Sequence, residues 1–101
     1  MKSKYYPFFG NLANPLKISI LEELKKNPSS VNELSESLNE EQSKISHALK
    51  ALRNCSIVSV KKEGKKRIYE LNKETILPML KILDKHRTKY CKICEANKFR
   101  R

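Results

Sequence analysis

Two groups of side chains in this 101-residue sequence have the types and spacing to do chemistry. The first is Gln42, Ser43, Lys44, Ser46, His47 and Lys50, interleaved with the apolar positions Ile45, Ala48, Leu49 and Leu52. A helix over this stretch buries the apolar set and turns the polar set outward. Amide, hydroxyl, ammonium and imidazole groups on one exposed helix face can pair with base edges and phosphate oxygens. His47 has a plainer reading as a solvent-facing helix residue with no role. A little further on, Lys61, Lys62, Lys65, Lys66 and Arg67 stand against one carboxylate, Glu63, a local net of +4. Flexible cations of this kind hold a phosphate backbone and set salt dependence, but read sequence poorly. The second group is Cys91 and Cys94, a C-x-x-C. Thiols at i and i+3 share a helix face, where they could hold zinc or another thiophilic metal, or form a redox pair. They read equally simply as two ordinary cysteines, Cys94 on a helix seam and Cys91 at its rim. The surrounding Lys85, Arg87, Lys89 and Lys92 favour thiolate but repel a metal cation. Cys55 falls in a turn and reads as structural.

No enzyme is expected. Gly occurs only twice, so there is no Gly-rich phosphate loop. No carboxylates pair on an apolar face, and no nucleophile has an evident base. Lys and Arg outnumber Asp and Glu by 22 to 11, a net charge of +11, a field that attracts polyanions. The charge is concentrated: the segment from Lys85 to Arg101 carries +6, and with the +4 between Lys61 and Arg67 it accounts for nearly the whole. A charge run can be a mere solvated face, but two compact patches on an otherwise balanced chain point to a nucleic acid. No apolar run approaches membrane-spanning length, and MKSKYYPFFGNLANP is too short in apolar core for a signal peptide. Three cysteines do not resemble a secreted disulfide framework. The expectation is a cytoplasmic protein with no membrane partner and no cofactor beyond the zinc or other thiophilic metal considered above.

The elements that must position these groups are legible in outline. Asn14 and Pro15 are a helix start, and Leu16, Ile20, Leu21 and Leu24 form an apolar stripe to about Lys26, where Asn27 and Pro28 stop it. Ser30 and Glu33 form a capping box for a helix over Ser29–Leu38. Asn39 suits a left-handed turn, and the next helix begins at Asn39 or Glu40 and runs to Asn54. Ile57, Val58 and Val60, then Ile68, Tyr69 and Leu71, read as a hairpin turning at Glu63–Gly64. Residues 1–10 are aromatic and basic, with Pro7 breaking any long helix, and Tyr5, Tyr6, Phe8 and Phe9 are expected to pack on the core or a partner subunit. A final helix from Thr75 to Asn97 carries Ile76, Leu80, Leu83, Arg87, Tyr90 and Cys94 at alternating spacings of four and three. A domain this small has nowhere to bury so long a stripe, so a second copy is the expected partner; the alternative is a helix that folds back on its own core. The chain is thus expected to be one domain, mainly α with a small β-hairpin wing. Its core spans 10–72 with the wing at 57–71, followed by a dimerisation helix over 73–97 and a basic tail at 98–101.

The run from Asn11 to Leu71 resembles the winged helix-turn-helix of the ArsR-type metal and arsenic repressors. Leu12, Pro15, Lys17, Ile20 and Leu21 match the family's opening pattern, and Val31, Glu33 and Leu34 its V-x-E-L helix. Gln42, Ser43, Ser46, Leu49 and Leu52 match its recognition helix, and Glu63, Gly64, Lys65, Ile68 and Tyr69 its wing. The resemblance covers about residues 10 to 90. It implies a homodimer built on the first and last helices that binds an inverted repeat in double-stranded operator DNA, with the recognition helix over 41–53. Base reading then falls to Ser43, Lys44, Ser46 and His47. Ser56, after Cys55, stands where the family usually has Gly, which implies a tighter or differently shaped turn. The family's cysteine pair in the second helix is replaced by Ser30 and Asn32, so that metalloid site is absent. Asp84 and His86 supply half of its last-helix zinc site, while Asn97 and Arg100 occupy the other half and cannot complete it. In a crossing dimer, Asp84 and His86 of one chain could approach Cys91 and Cys94 of the other.

The resulting expectation is a sequence-specific DNA-binding transcriptional regulator, a repressor or an activator, with repression the leading reading. The alternatives are a non-specific architectural nucleic-acid protein, a metal- or thiol-responsive sensor using Cys91 and Cys94, and a winged-helix module for protein partners.

Overall fold

The computed structural model describes residues 3–91. Cys94, the expected last turns of the final helix and the tail at 98–101 lie outside the described residues. Seven elements follow in order: α1 (Tyr6–Leu12), α2 (Pro15–Lys26), α3 (Val31–Leu38), α4 (Gln42–Asn54), β1 (Val58–Glu63), β2 (Lys66–Leu71) and α5 (Ile76–Lys89).

The start of α2 follows from two residues. The Asn14 side chain accepts the Lys17 backbone N–H, and Pro15 fills the first helical position, where its missing N–H costs nothing. Ser30 and Glu33 cap α3 reciprocally: the serine oxygen accepts the Glu33 N–H, and the Glu33 carboxylate accepts the Ser30 N–H. At the other end Asn39 adopts a left-handed φ of 53°, Glu40 N–H bonds to the Ser35 carbonyl and Asn39 N–H to that of Glu36. This double closure stops α3 and redirects the chain into α4. The fourth helix starts at Gln42, two or three residues later than expected, because Glu41 is its extended N-cap and no side chain caps it.

The end of α4 is built the same way. Ile57 N–H reaches the Leu52 carbonyl and Ser56 N–H that of Arg53, with Ser56 at φ 56°. The turn therefore keeps the left-handed form that glycine adopts most easily, rather than the altered shape its serine implied. Ile57 and Leu52, the two residues this closure brings together, are both fully buried. The hairpin pairs antiparallel, from Val58 opposite Leu71 to Glu63 opposite Lys66, so its two-residue turn is Gly64–Lys65, one position later than expected. Gly64 has φ 65° and Lys65 does not, the pattern of a type II′ turn.

Ile20, Leu21 and Leu24 of α2, Leu34 of α3, Ile45, Ala48, Leu49 and Leu52 of α4, Ile57, Val58, Tyr69, Leu71 and Ile76 form one core. Two stretches depart from the expected layout. Tyr6–Leu12 is helical, because Pro7 sits in the first turn, where proline starts a helix rather than breaking it. Tyr5, Tyr6 and Phe9 nevertheless stay exposed. The last helix ends at Lys89, so Cys91 lies beyond it instead of on its face. Its stripe is buried at Ile76 but open at Leu83, 58% exposed, and the neighbouring Ile82 is 68% exposed.

Candidate nucleic-acid interface

Every polar side chain singled out on the fourth helix points outward. Gln42, Ser43, Lys44, Ser46, His47 and Lys50 are exposed, while Ile45, Ala48, Leu49 and Leu52 between them are buried. The four anchors fix the helix's rotation about its axis, and the polar face follows from the 3.6-residue period. The turn from α3 is secured by Asn39 and by the Ser35 hydroxyl, which donates to the Glu40 carbonyl. Lys44 forms an ion pair with Glu40 at 3.8 Å, one helical turn back.

The wing is locked to the helix-turn-helix at its base. Ser29 and Tyr69 exchange backbone hydrogen bonds of 3.0 and 2.8 Å, immediately before the α3 cap. The Glu33 carboxyl is held below the usual carboxylate range, first by the Ser30 backbone N–H, against the opposing effect of burial and with help from the Lys66 charge. Of the five wing cations, Lys61 pairs with Glu70 at 3.6 Å, a carboxylate also met by Lys73. Lys62, Lys65 and Arg67 form no ion pair among the described residues. Lys62 and Arg67 lie directly opposite each other in the hairpin, a like-charge pair that repels unless an anion comes between.

One feature adjoining this face carried no role in the sequence reading. A cleft of about 410 Å³ separates the first turn of α2 from α4, lined by Asn14, Leu16, Lys17, Ser43, Lys44, His47 and Ala48. Lys17 Nζ donates to Asn11 Oδ1 at 2.7 Å, and the Asn11 amide donates to the Ala51 carbonyl at 2.9 Å and to Cys55 Sγ at 3.2 Å. The sequence signals were a lysine in the first turn of a capped helix and its match to the family's opening pattern; the link from Asn11 to α4 spans forty positions.

Of the residues considered for a metal, Asp84 and His86 have other contacts among the described residues. Asp84 forms an ion pair with Lys25 of α2 and lies 4.0 Å from Arg87. His86 is exposed and meets Tyr90 at a tilt, with ring centroids 5.4 Å apart and planes 41° apart. Among the described residues no three or more His, Cys, Asp and Glu side chains gather as metal ligands, and Cys94 is not among them. No described helix is long and apolar enough to cross a membrane.

Residues 14–60 match the family described as bacterial regulatory protein, arsR family. HlyU from Vibrio cholerae is 34% identical, with a TM-score of 0.72 over 87% of this chain and 92% of that one. The chain belongs to the ArsR family. The HTH-type transcriptional regulator NmtR of Mycobacterium tuberculosis is 38% identical over 60 residues, 59% of this chain and half the length of that relative. A homodimeric winged helix-turn-helix DNA-binding domain from Mycobacterium bovis shares the fold at 17% identity, with a TM-score of 0.71 over 88% of this chain and 93% of that one. As an ArsR-family member the chain is a winged-helix regulator of transcription and not an enzyme.

Proposed function

We propose that this ArsR-family chain is a homodimeric repressor that reads an inverted-repeat operator with α4 and holds the flanking backbone with its wing. One observation carries this reading: six polar side chains of α4 face solvent together while the opposite stripe of the same helix is buried. The roles divide by chemistry. Ser43, Lys44, Ser46 and His47 meet base edges, with Gln42 and Lys50 at the ends of the same face. Lys62, Lys65, Lys66 and Arg67 meet phosphates, with Lys61 shared between DNA and Glu70.

Dimerisation is supported by apolar surface left uncovered on the first and last helices: Tyr5, Tyr6 and Phe9 at one end, and Met79, Ile82, Leu83 and Tyr90 at the other. The M. bovis domain with the same fold is a homodimer, which accords with this assembly. Two copies place two α4 helices on successive half-sites, which is what an inverted repeat requires.

A band-shift series tests the function, comparing duplex from upstream of the chain's own coding sequence with scrambled duplex of equal length. The expected result is a preference for the native sequence that persists at physiological salt. Equal affinity for both would replace this reading with sequence-indifferent backbone binding.

A further inference from the structure

The cleft between α2 and α4 has the composition of an anion site. It is lined by Lys17, Lys44, His47 and Ser43 beside the apolar Leu16 and Ala48, with no acidic residue in the lining, although Lys44 also pairs with Glu40. Asn14 lies at its edge, so the positive end of the α2 dipole opens onto the same space. The cleft also adjoins the outward face of α4, sharing Ser43, Lys44 and His47 with it. A helix seated in the major groove has the two phosphate backbones passing along its flanks. Any duplex gripped by α4 therefore lays backbone beside this cleft.

We propose that Lys17, which lies outside the helix-turn-helix, and the cleft it shares with α4 form a backbone-phosphate site, with Lys17 as its principal cation. This rests on the DNA-binding reading and adds a contact to it. Lys17 is suited to the task because it is already positioned. Its ammonium donates one hydrogen bond to Asn11 Oδ1, and Asn11 is tied by its amide to the last turns of α4. A lysine ammonium has three donors, so two stay available for phosphate oxygens. A lysine held in place loses less side-chain entropy on binding than a free wing lysine. Asn11 is a positioning residue that couples α1 and α2 to the recognition helix.

The salt dependence of binding to a mixed-sequence duplex separates a phosphate contact from a structural role. Each neutralised phosphate contributes about 0.9 to the slope of log affinity against log salt. Lys17→Gln is expected to reduce the slope by about 0.9 per bound copy, so the affinity lost between 50 and 200 mM salt shrinks by roughly threefold per copy. The preference between native and scrambled duplex should stay unchanged, since phosphate contacts carry no base information. Lys17→Arg, which keeps the charge, should keep the slope. An unchanged slope in Lys17→Gln, whether its affinity is intact or reduced in parallel at every salt concentration, overturns the site. A loss of slope in both variants overturns it too, because it would trace to disturbed packing rather than charge. If the unsubstituted protein binds no duplex at any salt concentration, the DNA-binding reading falls, and the site with it.

Discussion

Ser56 holds a backbone conformation that costs most side chains about 1–2 kcal/mol, and it does so to close α4. Glycine removes that cost but gains freedom in the unfolded chain. Ser56→Gly is therefore expected to stabilise the fold by about 0.5–1 kcal/mol, raising Tm by a few degrees in a thermal scan. A lower Tm would mean that the serine side chain contributes something beyond the turn. The α3 cap makes the opposite case. Ser30→Ala should cost about 1 kcal/mol, read from denaturant midpoints at constant slope. Glu33 supplies the cap's pH dependence. Hydrogen bonding to the Ser30 backbone N–H lowers its folded pKa, so its contribution is complete above the ordinary glutamate range and fades as pH falls through the lowered value. Glu23, lowered chiefly by the Ser37 hydroxyl and then by Lys26, acts with the same sign. Replacing Glu33 with Gln should lower stability at neutral pH and change little in acid, where Glu33 is protonated, so that the acid limb of the stability profile flattens. Caps of this kind were legible in the sequence because donor and acceptor lie within three residues. Lys17 and Asn11 were not, since their setting depends on Ala51 and Cys55, which only the tertiary fold brings near.

At the scale of elements, α4 and the wing make different contributions to binding, and substitutions should separate them. Ser46→Ala or His47→Ala removes a group from the base-facing surface, and each is expected to narrow the gap between native and scrambled duplex by about 1–3 kcal/mol. Lys62→Gln, Lys65→Gln or Arg67→Gln should weaken both duplexes alike and lower the salt slope by about 0.9 per bound copy. Lys61→Gln should change the slope less, because the Glu70 carboxylate already offsets part of its charge. A wing variant that altered sequence preference, or a helix variant that altered only the slope, would reverse this assignment. The helices and strands that build this surface were readable from periodicity, since burial of Ile45, Leu49 and Leu52 obeys the pattern their spacing sets. The hairpin turn fell one residue late because Gly64 takes the positive φ while Glu63 stays in the ladder opposite Lys66. Tyr6–Leu12 escaped because its exposed aromatics give no buried stripe in one chain. The last helix was expected to run to Asn97 because its repeat continues past Lys89; among the described residues it ends at Lys89.

At the scale of the molecule, the exposed part of α5 sits beside a groove that one chain leaves unfilled. Ile18, Leu21, Leu80 and Leu83 line about 220 Å³ between α2 and α5, rimmed by Glu22, Lys25, Asp84 and Arg87. The Lys25–Asp84 ion pair bridges the two helices at its rim. Leu83 is 58% exposed and contributes little to the fold of one chain. Leu83→Glu should consequently leave protomer stability within about 0.5 kcal/mol. In the proposed dimer the same carboxylate would be buried without a partner, at a cost of about 3 kcal/mol or more, over a hundredfold in dissociation constant. Sedimentation equilibrium should then show dimer for the unsubstituted chain and monomer for the variant at equal concentration. DNA binding should weaken with it, since a monomer grips one half-site and gives up the tethering that makes the second contact nearly intramolecular. The loss should be steep on an inverted repeat and small on a single half-site, which separates failed pairing from a damaged reading surface. An unsubstituted chain that sediments as a monomer, and binds one half-site as tightly as two, would leave the apolar face of α5 unexplained and remove the dimer from this account.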